Sequence, residues 1–292
     1  MKSGEQRVRV RYGAAELFGK DIAHLPSSEL RRLANAGFGH EICPFMGRPC
    51  KKPGGVCSLR KYRLDESGVV SVAGDEVVAT CPIRFRENDE IFSWIGEMLV
   101  GSSAPLVARE VRFLLAANGG EESEPDAVGR IDMVLVNPSA DLLRWCALEI
   151  QAVYFSGGKM GDDLAEMRVW TANTIPFPIR HRRPDFRSSG PKRLMPQLQI
   201  KVPTLRRWGK KMAVVVDRAF WQSLGRMDDV GDVSNCDIAW FIVDWKQRGD
   251  RLELRRCHVQ YTTLEHAVVG LTGGRPVTQT EFESAVREKL GV

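Results

Sequence analysis

The spacing of apolar residues divides the chain into segments of different period. After Asn88, apolar residues recur at the helical interval, which predicts a helix with one buried face formed by Ile91, Trp94, Ile95, Met98 and Leu99. Beyond Gly101, short apolar runs predict strands over 105–115, 130–137 and 144–155, followed by a helix over 162–172. Further strands are predicted over 211–217, 237–244 and 251–261, with a short helix near Phe220 and a C-terminal helix over 279–289. Strands interspersed with helices in this order predict an α/β fold.

The first 90 residues have a different pattern. A short strand over 7–10 precedes a helix that begins after Ser28 and ends at Gly37. Residues 38–90 are rich in glycine, proline and cysteine, contain a valine-rich strand pair near 68–80, and have few large apolar side chains. We therefore predict an amino-terminal region over 1–90 and a larger core over 91–292, with an inserted basic segment at about 176–211.

Two acidic residues interrupt the apolar strands on either side of an Asn-Pro-Ser-Ala-Asp turn. If these strands form an antiparallel hairpin centred between Ala140 and Asp141, residues whose numbers add up to 281 pair across it, and Asp132 lies opposite Glu149. Opposed side chains in such a ladder have Cβ atoms about 4.5–5.5 Å apart, and like charges there repel each other. Gln151 projects from the same face as Glu149, because side chains alternate along a strand.

Two carboxylates and one amide oxygen that converge in an apolar sheet form a hard oxygen site of the kind that Mg²⁺ accepts. A bound cation would also remove the repulsion between the two acids. The alternative is that each acid lies at an exposed strand end and that the spacing arose by chance. The nearly unbroken apolar character of both strands favours the metal site, because an unpaired charge there would be costly.

Cysteines are concentrated in the amino-terminal region. Cys43, Cys50 and Cys57 stand at equal intervals, and Cys81 follows. Four thiolates are the ligands of a tetrahedral structural zinc or mononuclear iron site, which would tie residues 38–85 together. The spacing differs from the paired C-x-x-C of common zinc ribbons, so scattered reduced thiols are the alternative. The total of seven cysteines is odd, which favours free thiols and thiolate ligands over disulfides.

Positive charge is concentrated in one stretch of the chain. Residues 180–211 contain eleven lysines and arginines and one acid, whereas the remaining residues include 31 basic and 36 acidic ones, within a net charge of +5. Such concentration predicts a polyanion partner, with a solvated basic loop as the alternative. The candidates for DNA contact, in a predicted loop or arm and just before the strand at 211–217, are Arg180, Arg182, Arg183, Arg187, Lys192, Arg193, Arg206 and Arg207.

Three short segments resemble the active site of the NotI restriction endonuclease family, within the PD-(D/E)xK nucleases. They are Arg109-Glu110, Gly129-Arg130-Ile131-Asp132 and Leu148-Glu149-Ile150-Gln151. The resemblance implies a PD-(D/E)xK restriction-endonuclease-like fold, which is a mixed central sheet flanked by helices, with an amino-terminal four-cysteine metal-binding segment. It also maps a structural iron site onto Cys43, Cys50, Cys57 and Cys81.

The resemblance assigns roles to the acidic residues and the amide. It implies that Asp132 and Glu149 ligate magnesium and that Glu110 completes the metal shell. Glu97, on the preceding helix, competes with Glu110 for that role. Gln151 stands where most of the superfamily has lysine, and is implied to orient the attacking water or the scissile phosphate. The missing lysine leaves more of the charge stabilisation to the metal.

The same resemblance implies a type II restriction endonuclease that hydrolyses phosphodiester bonds of double-stranded DNA in a magnesium-dependent reaction at a GC-rich, palindromic site. It implies a homodimer, which places one active site on each DNA strand. Two other functions are open. One is a PD-(D/E)xK nuclease of DNA repair or anti-phage defence, and the other is a non-catalytic, metal-stabilised DNA-binding regulator.

Composition bounds the compartment and the size of the core. The 43% of hydrophobic residues suffices for one large domain or for a domain with an annex. No run of 18 or more apolar residues occurs, and the start of the chain lacks the apolar segment of a signal peptide. We therefore expect a cytoplasmic protein without a membrane partner.

Overall fold

The computed structural model describes residues 8–37, 39–115, 127–273 and 277–291. Within these ranges the strands are, in chain order, β1 (Arg9–Leu17), β2 (Lys20–Asp21), β3 (Ile42–Cys43), β4 (Arg48–Pro49), β5 (Val56–Leu64), β6 (Val70–Ala79), β7 (Leu106–Leu115), β8 (Ala127–Val136), β9 (Trp145–Ile150), β10 (Tyr154–Ser156), β11 (Arg183–Asp185), β12 (Met212–Asp217), β13 (Ile238–Arg248) and β14 (Arg251–Thr262). The α-helices are α1 (Ser27–Ala34), α2 (Glu90–Ile95), α3 (Gly161–Val169), α4 (Phe186–Ser189), α5 (Met195–Arg207), α6 (Arg218–Ser223), α7 (Leu264–Thr272) and α8 (Gln279–Leu290). Short π-helical segments follow α2 and precede α5, at Gly96–Val100 and Gly190–Leu194.

Six strands form the central sheet, in the order β14-β13-β12-β9-β8-β7. β12 runs parallel to both of its neighbours, β9 and β13, and the other adjacent pairs are antiparallel. Parallel strands that are covered on both faces tend to be apolar along their length. Every residue of β12 is accordingly buried, and all but its last are apolar. The predicted α/β class is confirmed as a mixed sheet with helices.

Alternate residues of the central strands point into two separate cores. One core contains Met133 and Leu148 and is covered by α2. The other contains Val134 and Ala147 and is covered by α5, α6 and α7. Each large aliphatic side chain that leaves water in this way contributes roughly 1.5–3 kcal/mol. The two cores therefore fix the helices, including α5, against the sheet.

A second sheet, of order β2-β1-β5-β6, packs beside the central one. Its valine-rich strand pair is β5 and β6, so it begins earlier in the chain than the predicted pair near 68–80. Val77 and Ala79 belong to the same core as Met133, and the Val153 amide donates to the Ala79 carbonyl at 2.8 Å. The boundary at residue 90 stays a prediction, and the apolar interior continues across it.

The basic segment after α3 contains more helix than predicted. Its first part, from Arg180 to Arg187, was expected to be a loop or arm, and no helix was predicted over 195–207, which form α5. Pro196 and Pro203 obscure this helix in the sequence, because proline in a helix interior removes a hydrogen bond. Pro196 is tolerated in the first turn. Leu198, Val202 and Leu205 recur at helical spacing and are buried against the sheet. Helix α7 was not predicted either. Among the described residues, no helix is long and apolar enough to cross a membrane.

Candidate active site

The β8–β9 hairpin has the predicted register. Met133 pairs with Leu148 and Val136 with Trp145, so the numbers of paired residues add up to 281. Asp132 stands one residue before the paired part of β8, and Glu149 is the next-to-last residue of β9. Both acids have the parity of the side chains that face α5.

A lysine from α5 lies between the two acids. The Lys201 Nζ atom is 2.8 Å from Glu149 Oε2 and 3.7 Å from Asp132 Oδ1. Its third partner is the Gln197 Oε1 atom, at 2.9 Å, one helical turn earlier. The Lys201 side chain is 8% exposed and that of Glu149 is 5% exposed, whereas that of Asp132 is 49% exposed. The site thus has a buried end at Glu149 and an open end at Asp132.

Burial dominates the protonation chemistry of Glu149. It raises the pKa of this carboxyl, the ammonium of Lys201 opposes the shift, and the carboxylate of Asp132 adds to it, with a result of about 7. A buried acid beside another acid releases its proton with difficulty. A further cation near the pair would favour the charged form of both acids.

The acids open into a cleft of about 570 Å³. Gln151 lines this cleft, as do its neighbours from Glu149 to Tyr154. Its backbone amide donates to the Val215 carbonyl at 3.0 Å, and its side-chain amide donates to the Ala152 carbonyl. The cleft is also lined by Lys52, Tyr154, Arg193 and Gln197. It therefore joins the two acids, two side-chain amides and two cations in one concave surface.

Glu110 occupies the register position opposite Asp132, because Arg109 pairs with Met133 and Val111 with Ile131. Its φ of +51° lies in the left-handed region, which is uncommon for a residue other than glycine. The carboxylate is 64% exposed and lies 3.8 Å from the Arg130 guanidinium. Glu110 is thus beside the pair on the next strand, and it is not among the residues that line the cleft.

The competing acid, Glu97, has a partner far along the sheet. Its carboxylate lies 3.0 Å from the guanidinium of Arg256, on β14 at the opposite edge from β7. Glu97 does not line the cleft either. The geometry therefore favours Glu110 over Glu97 as the acid closest to Asp132.

The donor chemistry of the pair suits a hard cation such as Mg²⁺, which takes oxygen ligands and keeps several waters. Asp132 and Glu149 supply carboxylate oxygens beside an open cleft, and the ammonium of Lys201 already occupies a position favourable to positive charge. Across the described ranges, no three or more His, Cys, Asp and Glu side chains form a group able to hold a metal ion. Further ligands would be water, an amide, a backbone carbonyl or DNA, or Glu110 after a movement of its side chain towards the pair.

The four cysteines lie close enough to influence one another. Burial raises the pKa of the Cys43 thiol, and the thiols of Cys50 and Cys81 add to the shift. Burial raises the pKa of Cys57 well above its usual range, with smaller contributions from Glu16 and Cys81. These residues are all within the described part of the chain, and they do not form a metal-binding group there. The four-cysteine iron or zinc site stays a prediction.

Arg182 requires a correction among the basic candidates. Its side chain is fully buried, and its guanidinium lies 2.5 Å from the carboxylate of Asp163. It also donates to the carbonyls of Gly158 and Lys159. Because a buried, fully paired guanidinium faces no solvent, Arg182 anchors the segment to α3 and is not available to DNA in this structure.

The other basic candidates divide by their partners. Arg180 pairs with Asp162, and Arg206 pairs with both Asp237 and Glu265. Arg207 donates to the Thr204 hydroxyl. Four exposed cations precede α5 in the chain, namely Arg183, Arg187, Lys192 and Arg193. Of these, Arg193 lines the cleft and lies 3.7 Å from the centre of the Tyr154 ring.

Lys201 is the site residue that the sequence interpretation missed. It was counted as part of the positive charge, with no role of its own. The signal was present, because Lys201 lies three residues after Leu198 and four before Leu205, on the buried face of α5. A charged residue on an apolar helix face that packs against a strand carrying two acids indicates a paired site.

Comparison with known proteins identifies the class and then the family. The chain matches the family model described as "Restriction endonuclease NotI" over residues 30–254. That span is well over half of the chain, and the protein belongs to the NotI restriction endonuclease family. Membership implies a nuclease that acts on DNA. No curated protein shows a significant match to the chain.

Proposed function

We propose that this protein is a type II restriction endonuclease that hydrolyses phosphodiester bonds of double-stranded DNA at a GC-rich, palindromic site. The observation that carries the proposal is the opposed pair of Asp132 and Glu149, at the end of a hydrogen-bonded ladder and in an open cleft. Family membership supports DNA as the substrate.

In this proposal Asp132 and Glu149 hold Mg²⁺, and Glu110 is the candidate for a further ligand on the next strand. Bound Mg²⁺ makes a coordinated water more acidic and stabilises negative charge on the phosphate and the leaving oxygen. The buried position of Glu149 fixes one ligand, whereas the exposure of Asp132 leaves room for DNA. Gln151, on the wall of the same cleft, would orient the water or the scissile phosphate through its amide.

DNA would approach the open side of the cleft. The exposed cations Arg183, Arg187, Lys192 and Arg193 would contact phosphates, and arginine can also bind guanine bidentately in the major groove. The latter is the chemical reason to expect a GC-rich target. A palindromic target has two-fold symmetry, so we propose a homodimer that places one cleft on each strand.

We further propose that Cys43, Cys50, Cys57 and Cys81 bind a structural iron or zinc ion. The support is the influence of these thiols on one another, since, besides burial, Cys50 and Cys81 raise the pKa of Cys43 and Cys81 raises the pKa of Cys57. No step of the DNA reaction passes through this ion. Its presence would be measured as metal content of the purified chain.

Cleavage of supercoiled plasmid and of long genomic DNA with Mg²⁺ tests the proposed function. A restriction endonuclease gives discrete fragments, and chelation of the metal stops the reaction. Asp132→Ala should abolish cleavage and leave DNA binding largely intact, since Asp132 contributes to the reacting centre and not to the fold. Asp141→Ala, an exposed acid in the turn of the same hairpin, is the matched control and should cut normally.

The other outcomes are equally specific. Diffuse or structure-dependent cutting would indicate a nuclease of repair or defence. Binding of DNA without cleavage under any divalent cation would indicate a regulator and contradict the proposed function.

A further inference from the structure

Lys201 lies beside the two acids of the proposed metal site, and the proposed reaction so far gives it no role. Its ammonium is the cation in direct contact with Glu149, and it also lies within 4 Å of Asp132. Residue 151, on the strand that carries Glu149, is a neutral glutamine. The carboxylate pair thus receives its protein-borne positive charge from a helix.

The helix holds this ammonium in a defined place. Leu198, Val202 and Leu205 are at most 1% exposed and pack in the core beneath the acids. Gln197, one turn before Lys201, accepts a hydrogen bond from Nζ. A long lysine side chain ordinarily has considerable rotamer freedom, which burial and three polar partners remove here. Lys201 is therefore preorganised before any substrate enters.

Other cations near the cleft have different binding partners. The Lys52 ammonium donates to the carbonyl and hydroxyl of Thr80. Arg193 stacks on Tyr154 at the exposed wall. Neither Lys159 nor Lys201 is among the residues that line the cleft, but Lys159 is exposed and has no ion pair with either acid, whereas Lys201 contacts the two acids that do line it. Among these four basic residues, Lys201 alone contacts the acids.

We propose that Lys201 is a catalytic residue that donates hydrogen bonds to a non-bridging oxygen of the scissile phosphate, in the role that a strand-borne lysine would otherwise fill. This inference rests on the proposed function. In hydrolysis the water oxygen bonds to phosphorus, the bond from phosphorus to the leaving oxygen breaks, the water gives a proton to solvent, and the leaving oxygen gains one. Lys201 keeps its protons and stabilises the charge that builds on the phosphate oxygens.

A counter-ion role for Lys201 is the simpler alternative to a catalytic role. Lys201 could act only as the counter-ion of Glu149 and Asp132 while no metal is bound. In that case a saturating divalent cation would replace its charge, and its removal would leave the cleavage rate unchanged. A catalytic lysine is required even when the metal is saturating.

The test compares Lys201→Gln, which keeps a hydrogen-bond donor for Glu149 but no charge, with Lys201→Met and the wild type. Lys246→Met, an exposed lysine on β13, is the control. The first measurement is the single-turnover rate of cleavage of a plasmid that the wild type cuts, at saturating Mg²⁺. The second is plasmid-fragment binding in Ca²⁺, and the third is Mn²⁺ affinity without DNA by electron paramagnetic resonance. Melting temperatures with the divalent ion present monitor folding.

We expect both Lys201 variants to lose about 100-fold in cleavage rate, the scale of removing one preorganised donor from a reacting oxyanion. DNA binding should change less than about threefold. Mn²⁺ affinity should stay equal or increase, because the positive charge of Lys201 no longer repels the Mn²⁺ ion. Wild-type cleavage rates in a folded Lys201→Gln or Lys201→Met variant would overturn the inference, as would loss of Mn²⁺ binding. A wild type that cuts no DNA would instead contradict the proposed function itself.

Discussion

The carboxylate pair and the four cysteines are held by different kinds of backbone. Asp132 and Glu149 stand where two strands of a continuous ladder meet, and Lys201 projects between them from a packed helix. Cys43 and Cys50 lie in and beside strands of two residues, at β3 and after β4, whereas Cys57 lies at the start of β5 and Cys81 follows the end of β6. A ladder and a packed helix thus position the first set, whereas short strands and strand ends bring the second set together.

This difference follows from how each backbone is ordered. A ladder fixes the direction of every second side chain through its hydrogen bonds, whatever ligand is present. The two-residue strands and turns around Cys43 and Cys50 have fewer ladder hydrogen bonds, so an ion bound by the four thiolates would add ordering free energy there. We therefore expect that loss of the metal at the carboxylates lowers the rate of DNA cleavage. Loss of the metal at the cysteines should instead lower the free energy of unfolding.

The largest effect is expected from Glu149→Ala. Loss of a buried ligand should reduce cleavage by at least about 10³-fold, because metal-assisted charge stabilisation contributes several kcal/mol. The melting temperature of the metal-loaded variant should change far less than its activity. Rates on plasmid DNA and calorimetry on the same preparations measure both. A variant that cuts normally would show that the ladder does not form the reacting centre.

The reverse pattern is expected from Cys57→Ser. Loss of one thiolate should lower the free energy of unfolding by about 3 kcal/mol or more and reduce the bound iron or zinc. Denaturant unfolding and elemental analysis measure these two quantities, with the exposed Cys257→Ser as control. Unchanged stability, together with no iron or zinc in the wild type, would mean that the cysteines are scattered reduced thiols.

An intermediate effect concerns pH. The pKa of Glu149 is raised from 4.5 to about 7. Its metal-free, protonated form therefore adds stability below pH 4.5, and this contribution is lost as the pH rises through 7. Metal binding needs the deprotonated form, so Mn²⁺ affinity should fall about tenfold from pH 8 to pH 6. Titration calorimetry at both values measures this change, and Glu149→Gln should abolish the dependence. An affinity equal at both values in the wild type would contradict it.

The smallest effect is expected in the basic segment, where Arg182 is held in a buried ion pair and Arg187 is exposed. Arg187→Ala should lower the slope of log affinity against log salt by about 1, as expected for one phosphate contact. Fluorescence anisotropy with a duplex at several salt concentrations measures the slope. An unchanged slope would remove Arg187 from the proposed DNA surface, and Lys246→Ala serves as the control.

The strands and the register of the hairpin could be predicted because both depend on local patterns. Two apolar runs around a turn define which residues oppose each other, and the pairing of Met133 with Leu148 follows. The α5 helix could not be predicted so directly, since Pro196 and Pro203 argue against a helix in the sequence. Tertiary packing of Leu198, Val202 and Leu205 overrides this local preference.

Contacts between residues that are far apart in the chain could not be predicted from the sequence. Lys201 lies 52 residues from Glu149, and only the folding of α5 onto the sheet places its ammonium between the acids. For Arg182, the sequence led to a predicted DNA contact that the structure does not support. Its charge and neighbours indicate DNA contact, whereas a buried acid on α3 determines its role. Sequence alone records the charges but not which of them neutralise each other.

Mn²⁺ binding to the DNA-free protein tests the central claim most directly, because it requires neither a known target sequence nor catalysis. The paired carboxylates predict one tightly bound ion per chain in the wild type and in Asp141→Ala, and at least about tenfold weaker binding in both Asp132→Ala and Glu149→Ala. Equal affinity in all four proteins would show that these two acids do not share a metal ion, and the account of the active site would be wrong.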